Sequence, residues 1–247
     1  MNGLLARTLA GVVLALGFAG VGLATPTINF ANGANNTQLG FTETVGGITI
    51  YGGAWNGSSL HFANLWLRNQ SNDHGLGVCS EGKDACTNGG GDVNELDNSG
   101  NYEGIVLDKG TGSPNWASLW VSSLDSNGSS GHETGTLLWG NTLSDLLSNF
   151  FSFSYGDFGT SVEGDVLSLS QATSFDPAAR YVIFVAGTPP CLAGAQTPGC
   201  NGTNNDYLVY GASLASVPEP PVLGLFGLGL LLLAGLGYRT TRRGEIR

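Results

Sequence analysis

The sequence predicts an all-β protein: an antiparallel β-sandwich, jelly-roll-like, with one short helix and a C-terminal transmembrane helix. Three observations predict it. Short stretches rich in β-branched and aromatic residues recur along the chain, and turn clusters such as Asn127-Gly128 and Asn201-Gly202 separate several of them. Glycine, at 40 of 247 residues, supplies the positive φ angles that such turns need. The third observation is an uncharged apolar run close to the C-terminus.

Taken from the N-terminus, residues 1–24 read as a secretory signal. Arg7 gives the positive n-region, Leu9 to Leu23 form the apolar stretch, and Gly22 and Ala24 fit the small-residue positions before a cleavage site after Ala24. Residues 25–216 then form the exported body, one domain without internal repeats. Its expected strands are "ITIYGG" (Ile48 to Gly53), "LHFANLWL" (Leu60 to Leu67), "YEGIVLD" (Tyr102 to Asp108) and "WASLWVSSL" (Trp116 to Leu124). "DVLSLS" (Asp165 to Ser170), "RYVIFVAG" (Arg180 to Gly187) and "DYLVYGASL" (Asp206 to Leu214) follow. The one helix is expected in "NTLSDLLSNFF" (Asn141 to Phe151), with Asn141 or Thr142 as cap and Leu143, Leu146, Leu147 and Phe150 on one side.

Pro221 to Tyr238 is the apolar run. Eighteen helical residues cover about 27 Å, close to the hydrocarbon thickness of a bilayer. Arg239, Arg242, Arg243 and Arg247 follow it and place that side in the cytoplasm by the positive-inside tendency. Val217-Pro218-Glu219-Pro220, the apolar helix and the basic tail, in that order at the end of an exported chain, resemble the PEP-CTERM sorting signal of Gram-negative bacteria that make exopolysaccharide. Residues 217–247 would then be the signal, with Pro218, Glu219 and Pro220 as its motif. The resemblance implies recognition by an exosortase, an integral membrane transpeptidase, with cleavage near Pro218 to Pro220. It also implies a surface or extracellular destination after transient anchoring by the helix. Gly75-Leu76-Gly77-Val78, Asn94 to Asn98 and Glu103 to Asp108 look like a pattern common in the ectodomains of that family.

Charge narrows the partners. Between Pro26 and Val217 seventeen Asp and Glu face four bases (Arg68, Lys83, Lys109, Arg180), about −13 for the body. A phosphate backbone would be repelled, so nucleic acid is excluded as a partner. Divalent cations fit better. Asp92, Asn94, Glu95, Asp97 and Asn98 offer five oxygen-bearing side chains in seven residues, a candidate structural Ca²⁺ loop that lacks EF-hand spacing. The competing reading is a solvated acidic loop whose Asn and Asp cap turns.

Cys79 and Cys86 lie seven apart, and Cys191 and Cys200 nine apart, each pair within a Gly/Asn/Pro-rich loop. Of three possible pairings, local closure within each pair is the simplest in an oxidising compartment. Zinc is disfavoured because no Cys-x-x-Cys spacing is present.

No Gly-x-Ser-x-Gly elbow or His-Glu-x-x-His helix occurs, and His61, His74 and His132 read as surface or turn residues, so the body is read as non-catalytic. A carbohydrate-binding module is the alternative and a glycan-active enzyme with paired carboxylates a weaker one. Strand alternation puts Trp116 and Trp120 on one face, where they form either a glycan platform or part of the core.

Overall fold

The structure, a computed structural model, describes residues 27–55, 60–70, 73–80, 86, 95–97, 102–125, 133–142, 145, 148–158, 167–168, 175–187 and 206–215. All belong to one compact unit, Thr25–Ala215. The signal segment, the helix expected in Asn141–Phe151 at positions 143, 144, 146 and 147, His132, Cys191, Cys200 and the whole of 217–247 lie outside the described residues. Among the described residues no helix is long and apolar enough to cross a membrane.

Fifteen described strands form two antiparallel sheets. The eight-stranded sheet runs β13 (Leu167–Ser168), β10 (Trp116–Ser122), β15 (Asp206–Leu214), β7 (His74–Cys79), β6 (Asn64–Asn69) and β2 (Thr37–Gly40). Two further strands, β1 (Thr27–Asn29) and β8 (Leu96–Asp97), pair with β15. The seven-stranded sheet runs β12 (Phe150–Ser154), β11 (Thr134–Gly140), β14 (Tyr181–Ala186), β9 (Tyr102–Asp108), β4 (Ile48–Trp55) and β3 (Thr42–Val45), with β5 (Leu60–Phe62) on β4.

Alternation along each strand builds one core between the sheets. Ile48 and Ile50, Ile105 and Leu107, Leu137 and Trp139, and Val182 and Phe184 point inward from one sheet. Leu65 and Leu67, Leu76 and Val78, and Tyr207 and Val209 meet them from the other. Tight connections follow the expected chemistry: Gly46 and Gly47, at φ 58° and 84°, make the two-residue turn between β3 and β4. Gly75 has φ 148°, and a Cβ there would stand 2.7 Å from the carbonyl oxygen of Val209, so β7 approaches β15 only with glycine at this place.

Three expectations are corrected. "LHFANLWL" is two strands, because the chain leaves β4 of one sheet at Ala63 and joins β7 and β2 of the other. Phe150 and Phe151 do not end the expected helix but belong to β12, paired with Leu138 and Leu137, and the described Thr142, Asp145 and Ser148 are linked by turn hydrogen bonds. Asp145 accepts a hydrogen bond from the Thr142 amide at 3.2 Å, and the alternating Phe-Phe-Ser-Phe-Ser run gains ladder bonds that a short helix would forgo. A 3-10 turn, Tyr155–Phe158, follows directly. Third, the strict alternation of "WASLWVSSL" is broken by irregularities between Trp116 and Ser118 and between Trp120 and Val121.

Candidate functional site

That irregularity decides the tryptophans. Trp116 is 3% exposed and lies in the core with Leu119 and Val121, its indole Nε1 donating to the Ala179 carbonyl at 2.8 Å. Lys109, itself buried, places Nζ 5.6 Å from the Trp116 ring centroid and donates to the carbonyls of Pro114 and Pro177. Trp120 is half-buried on the eight-stranded sheet. The two therefore do not share an open flat face. Trp66 packs against Cys79 and Cys86, and Trp139 meets Phe175 edge-on at 5.5 Å, so these rings are also interior.

The Cys79–Cys86 disulfide forms as local closure predicts, with 6.0 Å between the Cα atoms. It pins the end of β7 to the start of the acidic segment. Of the five candidate calcium residues, Asp92, Asn94 and Asn98 lie outside the described residues. Glu95 and Asp97 are described, and both are buried. The Glu95 carboxylate accepts from Arg68 Nη1, while Arg68 Nη2 reaches Asp73 at 2.7 Å, so one buried guanidinium serves two acids. Asp97 is 2% exposed and belongs to β8, where it pairs with β15. Among the described residues no group of three or more His, Cys, Asp or Glu side chains is placed to hold a metal ion.

Asp97 adjoins a larger set of buried carboxyls. Its amide donates to Glu103 Oε2 at 3.3 Å, and the Ser80 amide donates to Glu103 Oε1 at 2.9 Å. Asp97 is the cross-strand partner of Asp206, which hydrogen-bonds Glu133. Burial pushes Glu133 up to about 10, and the hydrogen bond and negative charge of Asp206 push the same way, while the Asp125 amide opposes them. The pair thus holds a proton at neutral pH. Elsewhere Asp108 is held below the ordinary carboxylate range by Arg180, which grips it through Nε at 2.8 Å and Nη2 at 2.7 Å.

The sequence reading gave no site role to Arg68, Glu133 or Asp206, and took Glu103 only as part of the family-like pattern Glu103 to Asp108. Glu103 had a readable signal, since period two places it on the inward side with Ile105 and Leu107. The pairing of Glu133 with Asp206, 73 positions away, had none. His74 is also placed differently: it begins β7, with Nδ1 3.2 Å from Asn69 Oδ1 and its ring edge-on to Tyr210. His61 is exposed on β5.

Two facing antiparallel sheets, with their described buried acids tied into the fold, define the class of this protein as a mostly antiparallel β protein. Compared with known proteins, the chain matches no family model, no curated protein and no solved structure.

Proposed function

We propose that this chain is an exported surface or extracellular-matrix protein, sorted by an exosortase, whose β-sandwich body is non-catalytic and associates with exopolysaccharide or the cell envelope. The observation that carries the reading is the sequence of features at the C-terminus: Pro218-Glu219-Pro220, then the apolar run 221–238 as the transmembrane helix, then Arg239, Arg242 and Arg243. The body is read as jelly-roll-like, which the repeated passage of successive strands from one sheet to the other supports. Its non-catalytic character is supported by the buried acids, since Glu95, Asp73 and Asp108 serve guanidinium groups and Glu103 serves backbone amides. Calcium is the proposed structural ion of the loop, now drawing on Asp92, Asn94, Asp97 and Asn98 while Glu95 serves Arg68.

The sorting proposal is tested by expressing the chain in a Gram-negative host with and without an exosortase and reading the C-terminal mass. Loss of the basic tail only where the exosortase is present, abolished by replacing Pro218, Glu219 and Pro220 with Ala, is the expected result. An identical C-terminus in both hosts refutes it. A second reading, a carbohydrate-binding module, is favoured by exposed aromatic side chains on the seven-stranded sheet, Phe62 and Phe150.

A further inference from the structure

The outer face of the seven-stranded sheet carries an organised apolar row. Strand registers place Tyr51, Val106, Ile183, Leu138 and Phe150 side by side across β4, β9, β14, β11 and β12. All five point away from the core, because their inward neighbours Ile50, Leu107, Val182, Leu137 and Phe153 fill it. At about 4.8 Å per strand the row is about 19 Å long, the length of a short oligosaccharide and not of one sugar. Leu138 and Val185 are buried, with Tyr181 and Ile183 packed on them, and Tyr51, Val106 and Ile183 are half-buried, so the row opens most at its Phe150 end. Phe150 is 48% exposed at one end, and Phe62, 72% exposed on β5, extends the apolar face at the other. Exposed phenylalanine rings at both ends of one sheet face mark a contact.

Charge decides what kind. The described outward positions of these strands include a single ionised side chain, Asp108, and Arg180 neutralises it while its guanidinium lies 4.5 Å from the Tyr181 ring centroid. Threonine and serine hydroxyls (Thr42, Thr49, Ser152) border the row. The face is thus uncharged on a body of about −13. Two copies meeting here would bring two such charges together, and an acidic polymer would be repelled by the same field. A neutral sugar chain meets no such opposition: its C–H faces suit the rings and its hydroxyls suit the border.

We propose that this face, centred on Tyr51, Ile183 and Phe150, binds a neutral polysaccharide. The proposal rests on the carbohydrate-binding reading above and moves the site from Trp116 and Trp120 to the opposite sheet. The test uses the full chain in detergent micelles, with retardation in gels containing a soluble neutral β-glucan or the acidic polymer alginate. Tyr51→Ala, Phe150→Ala and Trp120→Ala are compared, with thermal unfolding to establish that each folds. Retardation by the β-glucan that weakens roughly tenfold in Tyr51→Ala and Phe150→Ala, but not in Trp120→Ala, and that is indifferent to salt, is the expected result. Loss confined to Trp120→Ala keeps the carbohydrate reading and overturns this site. Retardation by alginate alone overturns the charge argument and with it the proposal. Retardation by neither polymer overturns both the site and the carbohydrate reading, as does a dimer disrupted by Phe150→Ala.

Discussion

At the scale of single residues, the buried acids give opposite pH signatures. Glu133 keeps its proton in the folded chain because burial and Asp206 raise it to about 10, against an ordinary 4.5. The folded state therefore binds more protons than the unfolded state through that window. Its contribution is complete below about pH 4.5 and is lost as pH rises toward 10, with a slope of at most about 1.4 kcal/mol per pH unit. Asp108 behaves inversely: Arg180 lowers it, so its contribution is present above the ordinary carboxylate pKa and fades as pH falls through the lowered value. Thermal or denaturant unfolding from about pH 2 to pH 9 separates the two, Asp108 acting on the acid limb and Glu133 on the alkaline one. Glu133→Gln should flatten the decline on the alkaline side and raise stability at pH 8 relative to the parent. An unchanged slope in Glu133→Gln would mean that the proton sits elsewhere.

Among the elements, legibility follows how much of a strand's pattern is its own. "YEGIVLD" and "DYLVYGASL" have dense apolar alternation and were readable end to end as β9 and β15. By contrast β7, "HGLGVC", shows only Leu76 and Val78 on its inner side, and its glycine at 75 lets β15 come close. That reason is tertiary and has no local signature. The same holds for β12, whose Phe150 shares spacing with a helix stripe until pairing with β11 decides the matter. Of the candidate site, the disulfide was readable from spacing, whereas the fate of Trp116 turned on a one-residue irregularity that periodicity cannot foresee. The disulfide also carries a prediction for its element. It closes β7 over Trp66, so Cys79→Ser with Cys86→Ser should cost about 2–4 kcal/mol and red-shift the tryptophan emission as Trp66 gains water. Denaturant unfolding with fluorescence detection reads both changes, and an unaltered midpoint would assign Trp66's burial to the sheet alone.

For the whole molecule, the governing fact is a body of about −13 whose buried cations serve several acceptors each. Arg68 holds Glu95 and Asp73 and Lys109 holds two carbonyls, while Asp97, Glu103, Glu133 and Asp206 gather further carboxyls around β8 and β15. Protonation of the Glu133–Asp206 pair relieves part of that repulsion. A divalent cation in the loop around Asp97 would relieve more, because it adds two positive charges beside Asp97 and Glu103. Binding to the folded chain alone raises stability by mass action. Thermal unfolding of the full chain with its disulfides intact, first in EGTA and then at millimolar calcium, should therefore show an upward shift of several degrees. Asp92→Ala and Asp97→Ala should each remove it, and the shift should shrink at low pH, where protons compete for the same carboxylates. A midpoint indifferent to calcium would leave protons and the two guanidinium clusters as the whole answer to the charge, and Asp92 to Asn98 as turn chemistry.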